Sequence, residues 1–224
     1  MKTEGKHMNS KTGKITLIGM FCALAVLAVA LIRIPVVLFL KYEPKDVVIV
    51  LGGLMMGPMS AAIISVISSV IEMVTISDTG PWGLLMNVVS SCAYACTAAA
   101  IYRKKRTADG AVAGLLCGTA VMAAMMLLWN YIVTPIYTGT PREAVAGMLL
   151  PTFLPFNLLK GGLNTGITLL IYKPLITALR KARILTGADQ PKKTELKMDP
   201  AMMVLGAVLL VGCVLLVMRL RGTI

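Results

Sequence analysis

Charged residues are scarce in this 224-residue sequence. Asp, Glu, Lys and Arg make up 14% of it, whereas hydrophobic residues make up 57% and the mean hydropathy is +0.82. A soluble domain carries about 25% charged residues, so the composition excludes an ordinary soluble fold. The apolar runs provide about six or seven helices of roughly 20 residues, the length that crosses a bilayer. We therefore predict an all-α integral membrane protein.

Groups that carry out catalysis are also few. The sequence has one histidine, His7, and its five cysteines all lie within apolar runs. Because no nucleophile has a base nearby and no cluster has metal-ligand spacing, we predict neither an active site nor a metal site. The phosphate-binding pattern G-x-x-x-x-G-K-[ST] is absent, which excludes ATP hydrolysis by that route. The expected protein is not an enzyme and has no cofactor.

Acidic residues are outnumbered by basic ones, 10 against 22, which gives a net charge of +12. In a soluble protein this excess would suggest a nucleic-acid partner. Here the basic residues cluster between apolar runs, in the N-terminal lead-in and at residues 103–106 and 180–197. Such clusters mark the cytoplasmic loops of multi-pass membrane proteins. We predict a cytoplasmic N-terminus, the lipid bilayer as surroundings, and no nucleic-acid partner.

Short polar breaks divide the apolar part of the chain into successive spans. The first span is predicted over residues 15–40, with a kink near Arg33 and Pro35 because proline removes a backbone donor. The predicted organisation is, in order, a cytoplasmic lead-in (1–14), a six-helix membrane domain (15–183), a cytoplasmic linker (184–200), an additional transmembrane helix (201–218) and a C-terminal tail (219–224).

The sixth span carries polar side chains at helical spacing. Asn157, Lys160, Asn164 and Thr168 are spaced i, i+3, i+7 and i+11, so they line one narrow stripe. An ammonium group at mid-membrane costs about 2.5–3.5 kcal/mol on insertion scales, so it needs a cavity or a partner. Two interpretations stay open: Lys160 contacts a ligand, or it reaches outward or pairs internally with Glu72.

Neighbouring spans add amides at a similar predicted depth. Asn87 lies on the fourth span and Asn130, beside Trp129, on the fifth. With Lys160 they favour an outward-facing pocket for a planar ligand, although Asn130 alone is equally typical of a hydrogen bond between helices. Glu72 is a counter-ion for Lys160, a pocket acceptor or, the favoured interpretation, an interfacial charge. Further candidate ligand contacts are Asn164, Glu72 and Trp129.

Small residues form one face of the first span. Gly19 and Ala23 are separated by three residues, a spacing that lets another helix approach closely. This face either packs inside the bundle or docks a partner subunit, and the sequence leaves both open.

Five segments together resemble a known family. In chain order they are LKYEPKDV, GGLMMGP, GPWGLLMN, WNYIVTPIY and LPFNLLKGG. They resemble the riboflavin-specific S component of energy-coupling-factor (ECF) transporters, the vitamin-binding membrane subunit of a bacterial ABC-type importer. The likeness covers about residues 14–183, and PFN-x-x-KG and NY-x-x-x-P-x-Y are its most specific parts.

The resemblance implies a six-transmembrane-helix S-component bundle in the bacterial cell membrane, with a pocket roofed by the first extracellular loop. It implies riboflavin as the ligand, with FMN left open, and an ECF transmembrane coupling protein and two ATP-binding subunits as partners. The implied ligand contacts are Asn157, Lys160, Asn130, Asn87, Lys41 and Tyr42. Gly19 and Ala23 match the docking position, and the helix at residues 201–218 has no counterpart in the six-helix pattern.

A stand-alone secondary carrier for a small planar metabolite or another vitamin is the alternative function. Such a carrier would need paired acids deep in discontinuous helices, and only Glu72 offers anything similar. A membrane-embedded enzyme would need clustered catalytic side chains, which the sequence lacks. High-affinity capture of riboflavin for an ECF importer is therefore the favoured prediction.

Overall fold

The structure is a computed structural model that describes residues 10–37, 40–77, 79–181 and 200–220. Much of the predicted lead-in and tail, and nearly all of the predicted linker at 184–200, lie outside the described residues. The described elements are, in chain order, α1 (Ser10–Leu31), β1 (Ile34–Val37), β2 (Leu40–Tyr42), α2 (Lys45–Met56), α3 (Pro58–Thr75), α4 (Gly80–Lys105), α5 (Ala108–Thr138), α6 (Arg142–Met148), a π-helical turn (Leu149–Phe153), α7 (Leu154–Lys181) and α8 (Pro200–Leu220).

Five stretches of the described chain are long and apolar enough to cross a membrane. They are Thr12–Leu31, Pro58–Thr75, Gly80–Lys105, Ala108–Thr138 and Arg142–Tyr172. A shorter apolar stretch, Met203–Leu216, lies in α8. The prediction of an all-α, multi-pass membrane bundle is confirmed.

The first span was predicted too long. It ends at Leu31, and the chain then forms an antiparallel hairpin in which Ile34 pairs with Tyr42 and Pro35 with Lys41. Proline cannot continue a helix and disfavours helical geometry in the residue before it, and β-branched residues surround Pro35. Pro35 therefore lies in a strand at the end of the bundle opposite residues 103–106 instead of kinking a membrane helix.

The short helix α2 runs through the centre of the bundle. Of its 12 residues, 11 are buried, and it packs against α1, α3, α4 and α7. It ends at Gly57, whose φ of +97° is favourable for glycine, and Pro58 then begins α3 at a position where its missing N–H costs nothing. A central helix of this length positions its first residues, Lys45 and Asp46, inside the protein.

Residues 135–150 are mostly helical. Helix α5 continues through Pro135 to Thr138 and is capped by Gly139, which has a φ of +69°, and α6 follows. Proline lacks an N–H, so it removes only one hydrogen bond of the helix, and the Gly139 N–H still donates to the Pro135 carbonyl at 3.0 Å. This extension carries Tyr137 to the end of the bundle opposite residues 103–106.

Candidate functional site

A cavity of about 260 Å³ opens at the end of the bundle opposite the basic residues 103–106. It forms where the ends of α1, α3 and α5 meet the first turns of α4 and α7 beneath the β-hairpin. The lining residues are Arg33, Leu40, Lys41, Glu43, Glu72, Thr79, Met86, Asn87, Ser90, Met126, Asn130, Tyr137, Phe156, Asn157 and Lys160. The sequence-predicted stripe and amides therefore converge on one space.

Lys160 forms its ion pair with Asp46 at the base of the cavity. Its Nζ lies 2.9 Å from Asp46 Oδ2 and donates to Ser90 Oγ at 3.3 Å. Asp46 is fully buried and also accepts hydrogen bonds from Ser91 Oγ and, at 3.4 Å, from Asn164 Nδ2. The interpretation that Lys160 pairs internally with Glu72 is wrong, because the first turn of α2, and not the end of α3, lies against Lys160.

Glu72 belongs to a second ionic cluster at the side of the cavity. It pairs with Lys45 and, at 3.5 Å, with Arg33, and it accepts a hydrogen bond from Asn87 Nδ2 at 3.1 Å. Arg33 Nε also lies 2.8 Å from Glu43 Oε1. Since Glu72 is only 2% exposed, the interpretation as an interfacial charge is wrong.

Most charged groups in and beneath the cavity are paired. Three cations, Arg33, Lys45 and Lys160, face three carboxylates, Glu43, Asp46 and Glu72, through the pairs just described. A buried ion is unfavourable by several kcal/mol unless it is paired and hydrogen-bonded, and this network satisfies both conditions. Lys41 also belongs to the lining. The cavity therefore offers polar contacts from paired charges, which suits an uncharged ligand with a polar edge.

The amides of Asn130 and Asn157 line the cavity but are anchored within their own helices. Asn130 Nδ2 donates to the Met126 carbonyl and Asn157 Nδ2 to the Phe153 carbonyl, each at 2.7 Å. Thr134 Oγ1 donates to Asn130 Oδ1 at 2.9 Å. These hydrogen bonds of Asn130 thus stay within α5 and do not join it to another helix. Anchoring of this kind fixes each side chain in one orientation toward the cavity.

Three of the predicted contacts, Tyr42, Asn164 and Trp129, lie outside the lining of this cavity. Tyr42 is buried beneath the hairpin, and its hydroxyl donates to Asn164 Oδ1 at 3.1 Å. Burial, together with the nearby Asp46 carboxylate, raises the pKa of Tyr42, so the hydroxyl remains a donor. Tyr42 and Asn164 therefore hold Asp46 from below the cavity and do not form its wall.

Trp129 lines a smaller adjoining cavity of about 30 Å³ together with Trp82. This space shares Thr79, Met86 and Tyr137 with the main cavity. Both tryptophans of the chain therefore lie beside the candidate site, although neither is part of its main lining.

Sequence reasoning missed Asp46 and the roles of Arg33 and Glu43. A signal was present in KYEPKD, where four of six residues are charged and lead directly into an apolar helix. That helix is too short to cross a bilayer of about 30 Å by itself. Its charged start must then lie within the protein, where it needs partners of opposite charge.

Gly19 and Ala23 lie on the exposed face of α1. A Cβ on Gly19 would meet no atom within 4 Å, whereas Phe21 and Ala25 of the same helix are buried in the core. The interpretation that Gly19 and Ala23 pack inside this bundle is therefore wrong. The small-residue face is accessible from the membrane.

Known proteins match this chain over the same helices. A family profile described as "ECF transporter, substrate-specific component" matches residues 13–172. The chain belongs to this family. It is thus the substrate-binding component of a transporter, and the matched region spans every element that lines the cavity.

Several individual proteins are similar to this S component. The riboflavin transporter FmnP of Bacillus subtilis (strain 168) is 28% identical over 158 residues, which cover 65% of this chain and 83% of that protein. The riboflavin transporter RibU of Staphylococcus aureus (strain TCH60) is 24% identical over 149 residues, covering 64% and 78%. A solved S component of a bacterial ECF transporter superposes with a TM-score of 0.65 at 26% identity, covering 76% of this chain and 99% of that one.

Proposed function

We propose that this S component binds riboflavin with high affinity in the outer cavity. The observation that carries the proposal is the convergence of Lys160, Asn157, Asn130 and Asn87 on one space in a chain whose relatives are named riboflavin transporters. The binding unit is the six-helix domain at residues 15–183, and α8 lies outside it. FMN, which adds a phosphate, remains a separate ligand to test.

The chemistry of the cavity fits a flavin. An isoalloxazine ring is flat, with imide donors and acceptors along one edge, and amides can bind this edge in pairs of hydrogen bonds. Met86, Met126 and Phe156 supply apolar surface for the two faces of the ring. Because the amides are held in place before the ligand arrives, an analogue that leaves them unpaired binds more weakly.

Transport requires energy from elsewhere, since the sequence carries no ATP-binding loop of the Walker type. We propose that α1 docks on an ECF coupling protein that carries two ATP-binding subunits. The exposed small face at Gly19 and Ala23 supports this, because small residues let helices approach closely within a membrane. The basic end of the bundle faces the cytoplasm in this proposal, and the cavity faces outward.

A flavin titration tests the ligand. The full chain is purified in detergent and titrated with riboflavin while tryptophan fluorescence is recorded. Trp82 and Trp129 both lie beside the cavity, so bound flavin is expected to quench most of the signal. Absence of both quenching and a co-purifying flavin spectrum at micromolar ligand would overturn the assignment.

The variant Asn157→Ala tests the site. Loss of a hydrogen bond buried against the ligand is expected to raise the Kd for riboflavin by about tenfold. Leu158→Ala is the matched control, since Leu158 is the next residue of α7 and is exposed on the bundle surface. If both variants bind as tightly as the wild type, the α7 stripe is structural.

The variant Ala23→Trp tests the docking face. Its side chain is exposed, so riboflavin binding is expected to persist while co-purification with the coupling protein is lost. Ala120→Trp, at an exposed position of α5, is the control and is expected to leave the complex intact. Equal assembly of both variants would assign docking to another surface.

A further inference from the structure

A second cavity, of about 130 Å³, lies at the basic end of the bundle, far from the flavin site. It forms between the first turns of α1, the end of α2 and the last turns of α4 and α7. Its lining includes three cations, Lys14, Arg103 and Arg106, and the side chains of Tyr102 and Tyr172.

The cations reach this cavity from different elements. Lys14 lies in α1 and Arg103 in the last turn of α4. Arg106 is the capping residue directly after α4. Arg106 has a left-handed backbone with a φ of +42°, a conformation that glycine or asparagine adopts more readily. The chain therefore turns at this point on an arginine whose side chain lines the cavity.

The charges here differ from those of the outer cavity, whose lining includes Glu43 and Glu72. Among the described residues, no acidic side chain lines this cavity and no ion pair involves Lys14, Arg103 or Arg106. Three cations around one concave space repel one another unless an anion lies between them.

The rest of the lining combines two tyrosines, two glycines and apolar residues. The Tyr172 hydroxyl donates to the Tyr102 hydroxyl at 2.5 Å on the α4 and α7 side. Gly57 has no side chain, and a Cβ built on it would lie 3.9 Å from Arg103 Nη1. The apolar lining residues are Leu54, Met55, Met56 and Ala99. The donors that phosphate oxygens would accept are therefore the guanidinium groups of Arg103 and Arg106 and the ammonium group of Lys14.

We propose that this cavity binds a phosphate group. The group comes either from the headgroup of an anionic phospholipid in the adjacent leaflet or from a soluble phosphate compound. The site is independent of riboflavin, because the described residues that line it do not line the outer cavity.

General attraction of a basic loop to anionic lipid is the simpler explanation, and the sequence supplies the control for it. Lys104 and Lys105 belong to the same basic run and are exposed, as Arg103 and Arg106 are, but they do not line the cavity. A built site therefore depends on Arg103 and Arg106, whereas general attraction depends equally on all four cations.

The test compares Arg103→Gln/Arg106→Gln with Lys104→Gln/Lys105→Gln, which remove the same charge. Phosphatidylglycerol bound to the purified full chain is counted by native mass spectrometry, with phosphatidylcholine as the neutral probe. The arginine pair is expected to weaken phosphatidylglycerol binding by roughly tenfold or more, and the lysine pair by less than about twofold. Addition of inorganic phosphate distinguishes the sources: competition indicates a soluble phosphate, and no competition indicates the lipid.

Equal losses in the two double variants, or no preference of the wild type for phosphatidylglycerol or inorganic phosphate, would overturn the proposal. Unfolding temperatures in detergent show that each variant is folded. If the arginine pair prevents folding, Lys14→Gln on α1 provides the same comparison and is expected to weaken binding as well.

Discussion

Asp46 and Lys160 form the contact on which the candidate site depends. Both groups are buried, and each would be unfavourable by several kcal/mol without the other. Ser91 and Asn164 complete the hydrogen bonding of the carboxylate. The pair therefore fixes the first turn of α2 against the middle of α7 and holds the ammonium group at the cavity base.

Removal of one charge of the Asp46–Lys160 pair is expected to lower the free energy of unfolding more than removal of both. Lys160→Met leaves Asp46 buried without a cation, so we expect a loss of about 3–5 kcal/mol in the free energy of unfolding. Lys160→Met combined with Asp46→Asn is expected to recover much of that loss. Reversible unfolding of the purified chain in detergent gives both values.

Additive losses in this double variant would show that the two side chains do not interact. Riboflavin binding by the same proteins separates the roles of Lys160, because the double variant restores stability but not the ammonium group. Stability that recovers without affinity would support Lys160 as a ligand contact.

Residue-scale prediction from the sequence succeeded for the stripe and failed for its partners. Helical spacing was enough to place Asn157 and Lys160 on one face of α7. The partner of Lys160 lies more than a hundred residues earlier in the chain, and no periodicity relates the two. Glu72 and Asp46 are both acids near the same end of the bundle, and only the packing of α2 decides which of them pairs with Lys160.

At the scale of elements, close helix packing depends on a few glycines. A Cβ on Gly118 of α5 would lie 2.6 Å from the Tyr94 carbonyl oxygen of α4, and one on Gly114 would lie 2.7 Å from the Ala98 carbonyl oxygen. Backbone oxygens cannot move away as a flexible side chain can. The approach of α4 to α5 thus requires glycine at both positions.

The variant Gly118→Ala is expected to lower the free energy of unfolding by about 1–3 kcal/mol through overpacking against α4. Gly212→Ala in α8 is the matched control, because a Cβ there meets no atom within 4 Å. It is expected to be neutral or stabilising by up to about 1 kcal/mol, since alanine favours helix. Thermal unfolding in detergent compares the two, and equal effects would contradict close packing at Gly118.

Element boundaries were predictable where the sequence changes composition abruptly. The Gly57–Pro58 pair is such a point, since Gly57 caps α2 and Pro58 begins α3. The end of α1 was not predictable in this way, because Ile34 to Val37 are as apolar as a membrane helix. Hydropathy alone does not distinguish a short apolar strand from a part of such a helix. The hairpin forms because its second strand returns beside the first, which is a long-range event.

At the scale of the whole molecule, the bundle has two different ends. The cavity beneath the β-hairpin is lined by charges of both signs, whereas the opposite end carries the basic residues 103–106. The helix α8 lies outside the family match at residues 13–172 and packs along α7, where Gly166 and Gly206 approach closely. It thus adds to the S-component bundle without covering the exposed small face of α1.

Labelling with a membrane-impermeant thiol reagent tests the orientation of the bundle. In a background with all five native cysteines replaced by alanine, Thr140→Cys lies between α5 and α6 and is expected to react in intact cells. Lys104→Cys, at the end of α4, is expected to react only after the membrane is permeabilised. The opposite pattern would reverse the proposed orientation.

The sequence by itself determined the membrane environment, the approximate order of the helices and the polar faces of α4, α5 and α7. These follow from local hydropathy and from the helical repeat, which need no knowledge of distant residues. Only the tertiary structure decided that Asp46 holds Lys160, that Glu72 is buried between Lys45 and Arg33, and that three cations converge on the opposite cavity. Each of these depends on which helices are neighbours, and close packing of small residues sets that arrangement.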